Sequence, residues 1–336
     1  MSFFVWFNYQ VLERVRYYQT HPVTVDMNIA YNNSLEFPSV AICNTNQFRM
    51  SKAWEAGIYR KLEVFYGADA EARRNITNLD DRNMTQTLLD MAHTKEDLIK
   101  KCTWKGHYCS YHNFTQLVTD FGVCYIFNDL QANESVRDPS DYEVENTGAS
   151  FGLQLYLNAE EYERSPGPRL PAGIQVLIFN GNDRPRVLDL GTAASVFEIS
   201  RAALHVSSMS RLSDPYGDCA SKILRDFKVY SFQSCLAEIF TNATAEQCGC
   251  IGYGQRWVGP DRPPYCNFST KYGCYHDVNA RSFTHSCTHS CKRKDYTTTL
   301  SKTGLSTTSI GALLDVIESD ATLLAKKEFR PPYVTK

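Results

Sequence analysis

CASKILRDFKVYSFQSCLAEIFTNATAEQCGCIGYGQRWVGPDRPPYCNFSTKYGCYHDVNARSFTHSCTHSC, residues 219–291, concentrates the cysteines of the chain. It holds eight of the chain's twelve cysteines, at 219, 235, 248, 250, 266, 274, 287 and 291, and no long apolar run interrupts it. So polar a segment cannot hold a shape by core burial alone, and cross-links are its expected scaffold. Zinc is the rival reading. Cys287-Thr-His-Ser-Cys291 has a zinc-like spacing, with His285 and His289 beside it. Against that, Cys248-Gly249-Cys250 is tighter than a zinc knuckle, and no second clean pair exists. Seven glycosylation sequons weigh more. They open at Asn32, Asn75, Asn83, Asn113, Asn133, Asn242 and Asn267, none with proline in the middle. With an even cysteine count they imply an extracellular, oxidising environment, where thiols pair with one another. Disulfides are therefore expected here, and no metal centre or cofactor.

Outward from that stretch, 336 residues with 43 % hydrophobic content and a net charge of −2 describe a chain with a real core. They fit neither a disordered polymer nor a nucleic-acid binder. The 20 Tyr and 18 Phe suit strands and rigid contact surfaces. No apolar run is long enough to span a bilayer. Ser2-Phe3-Phe4-Val5-Trp6-Phe7 is apolar and aromatic, then polarity rises through Glu13, Arg14 and Arg16. The run lacks the basic start and small-residue cleavage site of a signal peptide. Since the sequons require export, residues 1–18 read as the outer end of a transmembrane helix, with Trp6 and Tyr9 at interface depth. A buried N-terminal helix is the alternative.

Along the chain, Val23 to Ile29 alternates apolar and polar residues after Pro22, which predicts a strand. Residues 35–44 give a turn and then an apolar strand ending at Cys43. Gln47–Tyr66 and Thr85–Lys101 show helical spacing, with a capping-box-like start at Thr94 and Asp97. A polar loop lies between them. Cys102 and Cys109 are spaced to close a small local loop. Short strands follow at 122–128, 151–157, 173–180, 196–199 and 203–206, separated by Gly, Asn and Pro turns. That pattern predicts an antiparallel sheet or small barrel. Lys292–Thr303 is a threonine-rich strand or linker, and 309–327 is the best helical stretch. No hydrolase, metalloprotease, nucleotide-binding or dinucleotide-binding signature occurs, so an enzyme is not expected.

Three features together resemble the degenerin/epithelial sodium channel superfamily, and within it the acid-sensing and peptide-gated branches. They are Phe37-Pro38-Ser39-Val40-Ala41-Ile42-Cys43-Asn44, Phe121-Gly122-Val123-Cys124-Tyr125-Ile126-Phe127-Asn128, and the spacing from Cys235 through Cys248-Gly249-Cys250 to Cys287 and Cys291. The resemblance covers nearly the whole chain. It implies an α+β fold, with an antiparallel β palm and β-ball carrying a helical finger, a disulfide-rich helical thumb and a knuckle. Palm strands would occupy 19–43, the finger 44–118, β-ball and palm strands 119–218, the thumb 219–291, and a palm strand and knuckle helix 292–336, with the second transmembrane helix lying beyond. Twelve cysteines allow about ten thousand pairings, so spacing alone cannot choose. The resemblance implies Cys43–Cys124, Cys102–Cys109, Cys219–Cys291, Cys235–Cys287, Cys248–Cys274 and Cys250–Cys266. A further thumb bridge of acid-sensing channels falls on Ile239 and His285 here, so both of its cysteines are missing together.

By the same resemblance the chain is the extracellular sensing and gating region of a trimeric, sodium-selective, amiloride-sensitive channel. Its partners would be family subunits in a homo- or heterotrimer, the plasma membrane, sodium ions, and protons or a small peptide as stimulus. The implied coupling contact is aromatic, between Tyr17 or Tyr18 and Pro215-Tyr216-Gly217. His21, Asp183 and Asp277 fall at candidate stimulus-sensing positions, with Arg184 and Arg281 nearby, whose charge is expected to depress the carboxylates. The rival class is a secreted or single-span receptor or adhesion module that uses the same scaffold without a pore.

Overall fold

The computed structural model describes residues 2–67, 84–131, 139–267, 270, 274–278, 283 and 286–306. The architecture is α+β, and every pairing between named strands is antiparallel. Helix α1, Ser2–Gln19, opens the chain. Strands β1 (Leu35–Glu36) and β2 (Ser39–Asn44) follow, then α2 (Met50–Glu55), α3 (Tyr59–Tyr66), α4 (Met84–Met91) and α5 (Lys95–Leu98). Next come β3 (Ile99–Trp104), β4 (His107–Cys109), β5 (Phe114–Val118), β6 (Val123–Phe127), β7 (Glu143–Val144), β8 (Leu153–Leu157) and β9 (Ile174–Phe179). The remainder is α6 (Val187–Leu190), β10 (Thr192–Ala194), β11 (Glu198–Ser210), α7 (Phe232–Cys248), α8 (Cys274–Asp277) and β12 (Lys292–Gly304).

A five-stranded sheet in the order β10-β9-β2-β6-β5 is the centre of the molecule. Every residue of β2 is buried, which is why Ser39-Val40-Ala41-Ile42-Cys43-Asn44 reads as a continuous run rather than an alternation. On one face Val40, Ile42, Tyr125, Phe127 and Ile174 pack against Leu98, Ile99 and Cys102. Those last residues lie in α5 and in the β4-β3-β8 sheet. On the other face Ala41, Cys43, Cys124, Ile126 and Leu177 close over Phe121 and Val187. A helical core gathers Phe48, Ala53, Ile58, Leu62, Phe65, Leu88 and Met91, with Tyr253 of the cysteine-rich stretch buried among them and Val118 and Val123 of the central sheet packed against it.

Six disulfides join the same pairs that the resemblance implies, and no described cysteine is free. Cys43 and Cys124 are cross-strand neighbours on β2 and β6, as are Cys102 and Cys109 on β3 and β4. The β3–β4 hairpin turns on Lys105 and Gly106, both with positive φ (51° and 77°), the geometry that lets a two-residue turn follow the strand twist. In the cysteine-rich stretch, α7 is capped at Ser231, whose side chain accepts from Ser234 N–H, and ends at Gly249 in the left-handed region. Cross-links are not its only support there. Tyr230, Cys235 and Cys287 form a small buried cluster with Leu224, Phe232, Leu236 and Ile239 packed on it. Ile239 thus fills its position with ordinary apolar packing; His285 lies outside the described residues.

Several expectations need correction. Val23–Ile29 forms no strand, and Val25, Met27 and Ile29 are more than four-fifths exposed. Alternation specifies a strand only where a neighbour covers one face, and none does so among the described residues. Gln47–Tyr66 is two short helices, broken at Gly57, whose φ is +69°. The Thr85–Lys101 pattern splits after Met91. Thr94 caps a new turn by accepting from Asp97 N–H at 3.1 Å, and Ile99 onward leaves for β3. The two strands expected at 196–199 and 203–206 are one, β11, which begins after Phe197 at positive φ. It pairs with β12 over thirteen residues. The sheets form no barrel among the described residues, and the helix expected at 309–327 lies outside them.

Candidate functional site

Helix α1 ends where Thr20 and His21 turn their N–H groups back onto the carbonyls of Tyr17 and Tyr18, each at 3.1 Å. His21 takes a left-handed backbone, φ 49°, and Pro22 follows. This is a helix stop in which a left-handed residue caps the last turn and proline prevents continuation. The stop fixes where the His21 ring points: its centroid lies 5.2 Å from that of Tyr216, edge to face at 87°.

Tyr216 sits in the turn Ser213-Asp214-Pro215-Tyr216-Gly217, closed by Tyr216 and Gly217 N–H groups on the Ser213 carbonyl and holding a cis Asp214–Pro215 bond. Gly217 has to be bare, since a Cβ there would come within 2.3 Å of the Leu212 carbonyl oxygen. The turn is tied to the end of the β11–β12 ribbon. Arg211 N–H donates to the Cys291 carbonyl at 2.7 Å, Ala220 N–H to that of His289 at 2.9 Å, and the Cys219–Cys291 bridge closes the same junction. The turn that carries Tyr216 is thus held to the base of the cysteine-rich stretch by hydrogen bonds and a disulfide. The rings of Tyr17 and Tyr18 are 59 % and 76 % exposed, and the aromatic contact to Tyr216 comes from His21.

Asp183 lies elsewhere, in the turn after β9, where its N–H donates to the Asn180 carbonyl at 2.8 Å. Ser234 Oγ donates to the Asn182 carbonyl at 3.5 Å, which sets the turn against the start of α7. Burial pushes the Asp183 carboxyl above the ordinary carboxylate range, more than its hydrogen bond with Ser231 and the charge of Arg293 pull it down; Asp295 adds to the rise. This reverses the depression expected from Arg184. That guanidinium turns away to the Gly254 carbonyl, at 2.9 Å. Asp277 ends α8 exposed, and Arg281 lies outside the described residues.

One polar centre escaped sequence reading. His93 Nδ1 stands 2.7 Å from Glu160 Oε2, and both side chains are 2 % exposed. Tyr162 O–H donates to Glu160 Oε1 at 3.0 Å, and Arg49, itself paired with Asp97, lies 3.5 Å from it. Asn46 Nδ2 donates to the Glu163 carbonyl and faces His93 Nε2 at 2.9 Å. Burial pushes Glu160 up, but the His93 hydrogen bond and charge, Arg49 and Tyr162 together hold it below the ordinary range. The network clamps residues 44–49, 91–98 and 158–165 together. Its members are up to 117 residues apart in the chain, so no local pattern announces them.

Of the sequon asparagines, Asn32 and Asn113 are exposed. Asn242 and Asn267 are half-buried, while Asn75, Asn83 and Asn133 lie outside the described residues. Among the described residues no group of three or more metal-binding side chains occurs, and no helix is long and apolar enough to cross a membrane.

Comparison with known proteins bears on this arrangement. A family model described as amiloride-sensitive sodium channel matches residues 1–315. The chain is 24 % identical to the bile acid-sensitive ion channel of Mus musculus over 327 residues, covering 90 % of this chain and 64 % of that protein. It is 24 % identical to acid-sensing ion channel 2 of Danio rerio, covering 76 % and 51 %. Against the gamma subunit of the epithelial sodium channel of Homo sapiens the identity is 30 %, covering 63 % and 34 %. The chain thus spans between about a third and two thirds of the length of these relatives.

Proposed function

Since the chain belongs to the amiloride-sensitive sodium channel family, whose model spans nearly all of it, we propose that it is the extracellular sensing and gating region of a sodium-selective channel in the plasma membrane. In this reading residues 1–18 continue a membrane helix, 19–43 and 119–218 are palm and β-ball, 44–118 the finger, 219–291 the thumb, and 292–336 a palm strand and knuckle. Three such subunits, alike or mixed, surround the pore, which amiloride blocks. A stimulus moves the thumb, and the thumb base passes that movement to the end of α1.

The observation that carries the reading is the His21–Tyr216 ring contact. It joins the end of α1 to a turn bolted onto the base of the cross-linked lobe, which is the mechanical link such a device needs. Edge-to-face aromatic pairs contribute about 0.5–1.5 kcal/mol beyond burial, enough to bias a gate without locking it. His21 and Asp183 both stand at moving parts on this account, His21 at the contact and Asp183 between α7 and β12. Protons are therefore one stimulus in keeping with the site, and a small peptide held between lobes is the other. Recording sodium current from cells expressing the full-length protein during a step from pH 7.4 to pH 5 separates them. A current evoked by the step supports proton gating. A silent channel that opens to peptide rules protons out.

A further inference from the structure

Gln47 follows the all-buried strand β2 and leads toward α2; it is 6 % exposed, yet neither of its amide atoms, Nε2 or Oε1, has a partner among the described residues. A buried amide left unpaired costs about 1–3 kcal/mol, so native interiors rarely keep one. Gln47 lines a small, mostly enclosed cavity of about 10 Å³ together with Asn44, Asn46, His93, Gly122 and Tyr125. Gly122, at φ +130°, leaves room beside the amide: a Cβ there would come to 3.3 Å from Gln47 Nε2.

We propose that this cavity is a binding site for a single structural water molecule. Its size admits one water and nothing larger. The chemistry selects water as well. Nε2 requires an acceptor and Oε1 a donor; a cation would serve only the second and an anion only the first, whereas water serves both. Such a water sits beside Gly122 and the Cys43–Cys124 bridge, where the residues after β2 lead from the central sheet to the helical core.

Two measurements test this. In a crystal structure of the protein the site holds a density peak about 2.7–3.2 Å from both Gln47 amide atoms; an empty cavity in well-resolved density overturns the proposal. In solution, Gln47→Met keeps the side-chain length and removes the amide. If water satisfies that amide, the thermal midpoint falls by a few degrees. If the amide is unpaired, Met relieves a buried polar group and the midpoint rises, which contradicts the proposal. Should the variant fail to fold, the crystallographic result stands by itself.

Discussion

At the scale of single residues, position in space rather than residue type decides the chemistry. Asp183 and Arg184 are neighbours in sequence, and sequence alone predicts that one lowers the other's pKa. The turn after β9 points them apart, and burial wins. A carboxyl whose folded pKa is raised penalises the fold where it must ionise, above that raised value, and costs nothing below the unfolded value of 3.8, where both states are protonated. Asp183→Asn is therefore expected to raise the thermal midpoint at pH 7.5, with the gain vanishing as the pH falls toward 3.8; thermal melts across that range check it. Glu160 has the opposite sign. Its stabilising pull is complete above the ordinary value of 4.5 and is lost as the pH drops through its lower folded value. Glu160→Gln is expected to destabilise at neutral pH and to converge with the parent in acid, read in the same melts. The cysteines and sequons were legible because their meaning is chemical and local. The Glu160 network was not, because its partners meet only through the fold.

At the scale of elements, turn and cap chemistry was readable wherever a side chain bonds its own backbone. The Thr94 cap sits where its residues predict. Elements whose identity depends on a distant neighbour were not readable. The Val23–Ile29 alternation finds no covering face, and β11 runs straight through residues 200–202 because β12 pairs with every one of its positions. The Ser231 cap of α7 gives an element-level prediction: Ser231→Ala costs about 1 kcal/mol by leaving a helix N–H unpaired, measurable by chemical denaturation. The two outlying bridges should differ as well. Opening Cys102–Cys109, seven residues apart on one hairpin, costs about 2 kcal/mol, whereas opening Cys219–Cys291, separated by 72, costs about 4 kcal/mol in the chain-entropy model. Paired Cys→Ser variants compared by denaturation midpoint should rank in that order, and equal losses would show that local hairpin packing, not loop closure, sets the cost.

For the whole molecule, the central sheet, the helical core and the cross-linked lobe pack against one another: Tyr253 of the lobe is buried in the helical core, and Val118 and Val123 of the sheet pack on it. In the proposed reading the lobe acts as a lever on the pore, and the contact between His21 and Tyr216 is where it meets α1. The most direct test is amiloride-blockable sodium current from cells expressing the full-length protein, compared with its Tyr216→Ala variant at matched surface delivery. A stimulus-evoked current is expected in the parent, with most of it lost in the variant. Equal currents in the two, or none in either with both at the surface, would contradict that reading.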